Sequence, residues 1–464
     1  MKQYIILLDR CGDLLSYILK HTSWNIAVLV TEPQEQTQSL IATYPHRITH
    51  TLNYLNLLEV QHCTHLDYDL IKQMKFVQID VETMLHRVML NNPIAKDIYY
   101  QYLSFFTEIF QIHKIDFVLN AEMILATPHH LIPFGLAKLR NIPSYTLEEL
   151  YGQVALFYYN TRENLAFDTF NKPSYPIKEQ CFYPYNTHAQ NTHKTLKDRV
   201  RTVFYKIGGA MLVEFVSCLV HMSFKRKFLN IEYSYFSKLY SLLKHKRMHR
   251  YYKKHSHIPD LKENFIYFNL HLEPEAAIIG RATLEAQLTL IKMTANALPQ
   301  GWKLYVKEHP HQLLMNDSLT DYFLHNIAFF KNIEFYKHIT LVPNTTLVSL
   351  EVSSKELIAH SKAIATFNGT VCLESVAFQK PVIMFDSNSS PYRFLSNTLH
   401  IFSYDNLRNA IDKIQQGFPY EIKEDEEFAK LDPYISNMAS PYFYDNLLTT
   451  ITKHINNISQ KKML

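Results

Sequence analysis

Short, unbroken apolar runs recur along this chain, and they limit its fold more than any other feature of the sequence. A strand that is apolar at every position is buried on both faces, as in a parallel sheet covered by helices. Polar turns and helix-like segments separate the runs, and this alternation predicts an α/β fold with parallel sheets. Strands are predicted at 4–8, 25–30, 115–120, 265–270, 302–306, 340–342, 363–366 and 381–385.

The predicted strands fall into two blocks, and a basic segment with helical character at 196–254 separates them. A chain of 464 residues is long enough for two or three domains. We therefore expect a first α/β domain at 1–195, a basic helical arm at 196–257 and a second α/β domain at 258–464.

Composition excludes several classes of protein. Only 9 of the 464 residues are glycine, against a usual ~7%. Neither G-x-G-x-x-G nor G-x-x-x-x-G-K-[ST] occurs, so two familiar phosphate-binding loops are absent from the sequence. The net charge of +4 is too small to indicate nucleic-acid binding by the whole chain.

Cysteine usage and hydropathy favour a cytoplasmic location. The 5 cysteines are scattered and never spaced as C-x-x-C, so neither a disulfide framework nor a structural zinc site is expected. The short apolar start of the chain is followed at once by charged residues, which argues against a signal peptide. The apolar stretch 207–224 contains Glu214 and His221, so we do not expect it to span a membrane.

Residues with useful chemistry follow the predicted strands of the second block. His271 and Glu275 come after strand 265–270, and Lys307, His309 and Pro310 come after strand 302–306. In open α/β sheets, ligands bind at the carboxyl ends of the strands. A lysine and a histidine held by a proline suit a phosphate group, although each segment could also be an ordinary surface turn.

A third segment follows strand 363–366. Gly369 allows a ligand to approach the backbone closely, and Thr370 lies at a predicted helix start, where free amide groups favour an anion. Glu374 lies four residues further on the same helix face, where a carboxylate can accept the two hydroxyls of a ribose. A glycine turn capped by a threonine is the simpler alternative.

These three segments together resemble the capsule polysaccharide biosynthesis family. The similar stretches are FIYFNLHLEPE at 265–275, LYVKEHP at 304–310 and TFNGTVCLESVAFQKPVIMF at 366–385, within a resemblance that covers roughly 260–395. That family contains GT-B type glycosyltransferases, including capsule Kdo transferases. The resemblance implies two Rossmann-like domains facing across a cleft, with acceptor binding in the first and nucleotide-sugar binding in the second.

The resemblance also implies roles for individual residues. Lys307, His309-Pro310 and Gly369-Thr370 would bind the phosphates of the donor nucleotide, and Glu374 would bind its ribose. His271 and Glu275 would bind the donor sugar. Asn269 stands where a proline is usual in the family. The implied reaction needs no cofactor and no metal, since the nucleotide-sugar, for instance a CMP-linked one, is a substrate.

Activation of the acceptor requires a general base, which we expect from the first domain. Glu122 and Asp13 are the preferred candidates, because each lies in a loop that joins a strand to a helix. Further candidates are Asp9, Asp116 and the pair His129-His130.

The main hypothesis is a glycosyltransferase that extends a surface polysaccharide, either capsule or lipopolysaccharide. The alternatives are a CDP-polyol phosphotransferase, a sugar-nucleotide epimerase and a non-catalytic subunit for glycan assembly. Residues 225–254 contain ten basic side chains and one acid, Glu232. This segment is either a solvated arm or a contact to the anionic inner face of the cytoplasmic membrane.

Overall fold

A computed structural model describes residues 3–61, 63–64, 66–87, 92–121, 127–150, 153–159, 165–167, 225–228, 231–273, 278–279, 284, 286–313, 330–385, 390–418, 423–438 and 440–463. The chain divides into two compact units. The first contains residues 1–182, 228–231 and 431–464, and the second contains residues 183–227 and 232–430.

In the described residues up to 167, strands and helices alternate and are followed by a run of strands. The elements are β1 (Tyr4–Leu8), α1 (Asp13–His21), β2 (Asn25–Thr31), α2 (Glu35–Thr43), β3 (Ile48–Asn53), α3 (Tyr68–Gln73), α4 (Lys75–Leu85), α5 (Asn92–Ile112), β4 (Ile115–Asn120), α6 (Pro128–Leu139), β5 (Ser144–Leu150), β6 (Gln153–Tyr159) and β7 (Leu165–Phe167).

The described part of the second half starts with two short strands and a long helix. Its elements are β8 (Lys225–Phe228), β9 (Ile231–Ser234), α7 (Tyr235–His255), β10 (Phe265–Asn269), α8 (Gln287–Ala297), β11 (Lys303–Lys307), α9 (Pro310–Leu313), α10 (Ile333–Thr340), β12 (Thr345–Leu347), α11 (Ser354–His360), β13 (Ala363–Thr366), α12 (Val371–Ala377), β14 (Val382–Met384), β15 (Thr398–His400), α13 (Tyr404–Gln415), α14 (Glu424–Ala429), β16 (Ile435–Ser436) and α15 (Phe443–Met463). Two 3₁₀ turns, Pro391–Phe394 and Asp432–Tyr434, complete this half.

The sheet of the first unit has the strand order β16-β6-β5-β4-β1-β2-β3, with β7 paired to β6. Strands β3, β2, β1, β4 and β5 are mutually parallel, whereas β6 pairs antiparallel with β5, β7 and β16. The direction of winding reverses between β1 and β4. A parallel sheet with this reversal is Rossmann-like.

The sheet of the second unit is parallel throughout and has the order β12-β11-β10-β13-β14-β15. Numbered within the unit, this is the order 3-2-1-4-5-6 of a doubly wound sheet, whose reversal lies between β10 and β13. Ile266 and Phe268 point into a core that also contains Met248 and Tyr252 of α7. The predicted α/β class with two Rossmann-like domains is therefore confirmed.

The predicted domain boundary at 258–464 is wrong at its end. Residues 431–464 belong to the first unit, where β16 pairs with β6. The apolar face of α15 supplies Phe443, Leu447 and Ile451 to the core around β1 and β2. The amphipathic pattern of a helix shows that one face is buried, but it does not show which of the two cores that face packs against.

Two local predictions also need correction. In the described part of the segment 196–254, which was predicted as helix, residues 225–228 and 231–234 form the strand pair β8 and β9, and only α7 is helical. The apolar residues at 340–342 were predicted as a strand, but Thr340 ends α10 and the strand β12 begins at Thr345. A stretch of three residues with two apolar side chains is too short to distinguish a strand from a helix end.

In the described residues, no helix combines the length and the apolar character that crossing a bilayer requires. The stretch 207–224 lies outside the described residues.

Candidate functional site

Three loops of the second unit leave the carboxyl ends of neighbouring strands around the reversal of the sheet. They follow β10, β11 and β13, which are adjacent and parallel. Crevices of this kind bind ligands in open α/β sheets, because the loops on either side of the reversal diverge. Among the residues predicted for the donor site, all those that the structure describes lie on these loops or on the elements they join. Glu275 lies outside the described residues.

The loop after β11 turns sharply into α9. The backbone N–H of His309 donates to Glu308 Oε1 at 2.7 Å, and Pro310 is the first residue of α9. The imidazole of His309 is half-buried, whereas the carboxylate of Glu308 is fully buried. The backbone at His309 is therefore fixed by its neighbour and by the proline that follows.

Lys307 ends β11 and is only 5% exposed. Its ammonium donates to Ser354 Oγ at 2.9 Å, and burial lowers the pKa of the lysine. No carboxylate in the described part of the chain forms an ion pair with Lys307. A buried cation whose partner is a neutral hydroxyl is suited to an anionic ligand, because the ligand would supply the missing charge.

The loop after β13 contains the predicted glycine turn. Gly369 adopts φ +107°, a conformation that L-residues rarely adopt. A Cβ at this position would lie 3.2 Å from His271 Cε1, so the turn also lies close against the histidine. Thr370 is exposed at the start of α12. The turn thus presents backbone and a hydroxyl to solvent at the edge of the sheet.

His271 lies beneath this turn. Its Nε2 is 2.7 Å from the carbonyl oxygen of Asn368 and 3.2 Å from Thr366 Oγ1. The side chain is 8% exposed. His271 therefore supports the glycine turn from within the protein, and its contact with a donor sugar stays a prediction.

Glu374 lies one helical turn after Thr370, whose hydroxyl is 3.5 Å from Glu374 Oε1. The side chain is half-buried, and burial raises the pKa of its carboxyl, an effect that the nearby Lys355 opposes. A half-buried acceptor in the first turn of α12 has the chemistry needed to bind hydroxyl groups.

Sequence reasoning missed several polar residues that line this edge of the sheet. Tyr267 donates to Asn269 Oδ1 at 3.0 Å, and its hydroxyl is 3.5 Å from Ser354 Oγ, the same oxygen that Lys307 contacts. Asn269, which departs from the proline usual in the resembling family, thus accepts a buried hydroxyl. Ser354 begins a helix 47 residues after Lys307, and no local motif indicates that the two meet.

The candidates for a general base lie in the first unit, and the structure distinguishes among them. Asp13 is exposed at the start of α1 and accepts a hydrogen bond from Gln36 at 3.3 Å. Asp9 is buried and accepts from the backbone of Gly12 at 3.0 Å and of Leu15 at 2.7 Å, so it caps α1. Burial raises the pKa of Asp9 to about 6.

Three further candidates have different fates. Asp116 accepts a hydrogen bond from the backbone of Tyr4 at 2.9 Å, which gives it a structural partner. His129 is fully buried, with Nε2 2.8 Å from the Tyr102 hydroxyl, and burial lowers its pKa to about 3. Glu122 lies outside the described residues, so its role stays a prediction.

Comparison with solved structures aligns nearly the whole chain with epimerases and glycosyltransferases, at low identity. A UDP-GlcNAc 2-epimerase from Neisseria meningitidis bound to UDP-GlcNAc is 11% identical, with 98% of this chain and 100% of that chain covered and a TM-score of 0.25. The glycotransferase of kitacinnamycin is 11% identical, with 99% of each chain covered and a TM-score of 0.23. CalG4, the calicheamicin glycosyltransferase, is 10% identical, with 99% of each chain covered and a TM-score of 0.24.

No protein family and no curated protein matches the chain. The assignment of two Rossmann-like units rests on the strand order of the two sheets, since likenesses at these scores carry no argument about chemistry.

Proposed function

We propose that this protein is a glycosyltransferase that uses a nucleotide-activated sugar to extend a surface polysaccharide, either capsule or lipopolysaccharide. One observation carries the proposal: Lys307 and His309 lie at the carboxyl end of β11, and Gly369-Thr370 and Glu374 follow the carboxyl end of β13, the two parallel strands that flank β10. This group combines phosphate-binding and ribose-binding chemistry at the reversal of a doubly wound sheet. The motif resemblance over 260–395 supports the same reaction.

In the proposed reaction, the second unit binds the donor nucleotide and stabilises it as the leaving group. The ammonium of Lys307, the imidazole of His309 and the backbone at Gly369-Thr370 would contact the phosphates, where negative charge develops as the sugar departs. Glu374 would accept hydrogen bonds from the ribose. These residues need no metal ion to neutralise the phosphates, because the protein itself provides a cation.

A general base must remove the proton of the attacking acceptor hydroxyl. Asp13 and Glu122 stay our proposed bases in the first unit. Exposure favours Asp13 over Asp9, because Asp9 is buried and both of its oxygens accept hydrogen bonds from backbone amides.

Helix α7 supports the proposal that the protein contacts an anionic membrane surface. Met248 and Tyr252 face the core, whereas Tyr240 and Leu243 of the same helix are 60% and 40% exposed. Lys244 Nζ lies 4.5 Å from the centroid of the Tyr240 ring. Exposed basic residues interleaved with exposed apolar ones suit the headgroup region of an anionic bilayer.

A product assay tests the proposed reaction. The purified protein is incubated with CMP-, UDP-, GDP- and CDP-activated sugars, with and without a polysaccharide acceptor, and the products are identified by mass spectrometry. We expect one donor to release its nucleotide only when acceptor is present, with a matching increase in acceptor mass. Conversion of a nucleotide-sugar into its isomer without acceptor would instead identify an epimerase, and transfer of a polyol phosphate would identify the phosphotransferase.

A further inference from the structure

A completely buried ion pair lies directly behind the donor-site loops. Glu308 and Lys331 have side chains that are 0% exposed, and Lys331 Nζ lies 3.0 Å from Glu308 Oε1 and 3.1 Å from Oε2. The two residues are 23 positions apart. Lys331 precedes α10 in a segment whose sequence gives no sign of burial.

Hydrogen bonds satisfy the remaining sites of Glu308. Its Oε1 accepts the backbone N–H of His309 at 2.7 Å, and its Oε2 accepts the hydroxyl of Tyr336 at 2.8 Å. Its own N–H donates to the Tyr252 hydroxyl at 3.1 Å. A buried ion pair is seldom a net gain in stability compared with apolar residues of the same volume. We therefore interpret this pair by the backbone conformation that it fixes at His309 and not by its contribution to stability.

Lys331 also bonds to a second loop. Its ammonium donates to the carbonyl oxygen of His271 at 2.5 Å, so a single side chain joins the loop after β10 to the loop after β11. All three protons of the ammonium thus have acceptors, two on Glu308 and one on His271.

Two glutamines complete the attachment of the loop after β10. Gln312 accepts from the backbone N–H of Glu273 at 2.8 Å and donates to its carbonyl oxygen at 3.0 Å. Gln287 does the same to His271, at 2.9 Å and 3.1 Å. Each glutamine amide pairs with the loop as a neighbouring strand would. Because Gln312 lies in α9, it is a second link between the loops after β10 and β11.

The imidazole of His271 extends these contacts to the third loop, since its Nε2 meets Asn368 and Thr366 beneath the glycine turn. The three loops of the candidate donor site are therefore coupled through buried groups. Lys331 acts on two of the loops directly and on the third through His271.

We propose that Lys331 is a positioning residue that holds the His309 loop and the glycine turn in their phosphate-binding arrangement before any nucleotide arrives. This inference rests on the proposed nucleotide-binding function of the same loops. Lys331 is fully buried, and its three ammonium protons already have acceptors on Glu308 and His271, so it acts only through these two residues. Loops that are ordered in advance bind a ligand without the loss of conformational freedom that flexible loops would incur.

The double variant Glu308→Gln/Lys331→Met tests this proposal. It removes both buried charges together, keeps the net charge of the protein and abolishes the bond to His271. We expect the dissociation constant for the tightest-binding member of a CMP, UDP, CDP and GDP panel to rise at least about tenfold by calorimetry. In hydrogen-exchange mass spectrometry without nucleotide, peptides containing His271 and Glu273 should exchange faster than in the wild type.

Two control variants separate positioning from general stability. Glu334→Gln/Lys337→Met removes an exposed ion pair of α10 and should change neither measurement. Tyr305→Phe removes partly buried hydrogen bonds to Asp260 and Glu263, away from the donor-site loops, so it should lower the melting temperature without changing loop exchange.

Each remaining outcome decides a specific point. Wild-type affinity and wild-type loop exchange in the Glu308→Gln/Lys331→Met variant would overturn the positioning role. If the wild type binds no nucleotide of the panel, the proposed function is wrong. Comparison of loop hydrogen exchange between the double variant and the wild type would still test the coupling of the loops. If the double variant does not fold, hydrogen exchange of the wild type tests the coupling. The amides of His271 and Glu273 should then exchange as slowly as those of β10, and fast exchange would refute the coupling.

Discussion

Replacement of Lys307 by methionine should affect folding and ligand binding in opposite directions. The lysine is 5% exposed, and its only polar partner in the described part of the chain is the hydroxyl of Ser354 at 2.9 Å. Burial of a cation beside a neutral group is unfavourable, as the lowered pKa of Lys307 indicates. Methionine has a similar length and no charge, so the free energy of unfolding should stay the same or increase.

Nucleotide binding should weaken in the same variant. A hydrogen bond between charged groups contributes about 1.5–3 kcal/mol. Since about 1.4 kcal/mol corresponds to a tenfold change in affinity, the dissociation constant should rise by about ten- to 150-fold. The deep burial of Lys307 favours the upper part of this range, because solvent screens a buried pair only weakly.

Chemical denaturation measures the first effect, and calorimetry with the best nucleotide measures the second. Lys362→Met is the matched control, because Lys362 is exposed and precedes β13, at the opposite edge of the same sheet. The control should bind nucleotide like the wild type. The reasoning is refuted if Lys307→Met binds nucleotide as tightly as the wild type, whatever the stability of the variant.

Four further predictions address other parts of the protein. Glu374→Gln should weaken nucleotide binding at neutral pH. Because burial raises the pKa of Glu374, the nucleotide affinity of the wild type, measured by calorimetry, should fall at mildly acidic pH. If the affinity of the Glu374→Gln variant falls equally with pH, the ribose role is contradicted. The pKa of Asp9 is raised from 3.8 to about 6, so its contribution to stability is present below the lower value and is lost as pH rises through the higher one. Between these two pH values, the free energy of unfolding of the wild type should decline by about 3 kcal/mol more than that of Asp9→Asn. If the two free energies change in parallel with pH, the role of Asp9 is refuted. Turnover should survive excess EDTA, and activity that is lost and then restored by magnesium or manganese would contradict a metal-independent reaction. Replacing six basic residues by glutamine should abolish salt-sensitive sedimentation with anionic liposomes but preserve nucleotide binding, and unchanged sedimentation would leave the segment as a connector. The six residues are Lys244, Lys246, Arg247, Arg250, Lys253 and Lys254.

Local patterns were sufficient to predict the parts of the fold that depend on burial along a single strand. The apolar runs at 4–8 and 25–30 correspond to β1 and β2. The placement of α15 in the first unit was not predictable, because amphipathic residues reveal that a face is buried but not against what.

The residues of the candidate site likewise include some that local sequence indicates and others that it does not. His309 and Gly369 could be proposed from the sequence because each lies two or three residues after the end of an apolar strand. Lys331 and Gln287 could not be found, since they reach the loops from distant positions in the sequence and belong to no motif. Residues that touch a ligand often lie near strand ends, whereas residues that hold those loops come from wherever the chain packs behind them.

The return of residues 431–464 to the first unit sets an order for folding during synthesis. The second unit comprises residues 183–227 and 232–430, so its entire chain has been synthesised before α15 emerges. The core around β1 and β2 must wait for Phe443, Leu447 and Ile451. Although the first unit begins at the amino terminus, it is the second to complete its core, and its apolar strands would be exposed to aggregation for longer on the ribosome.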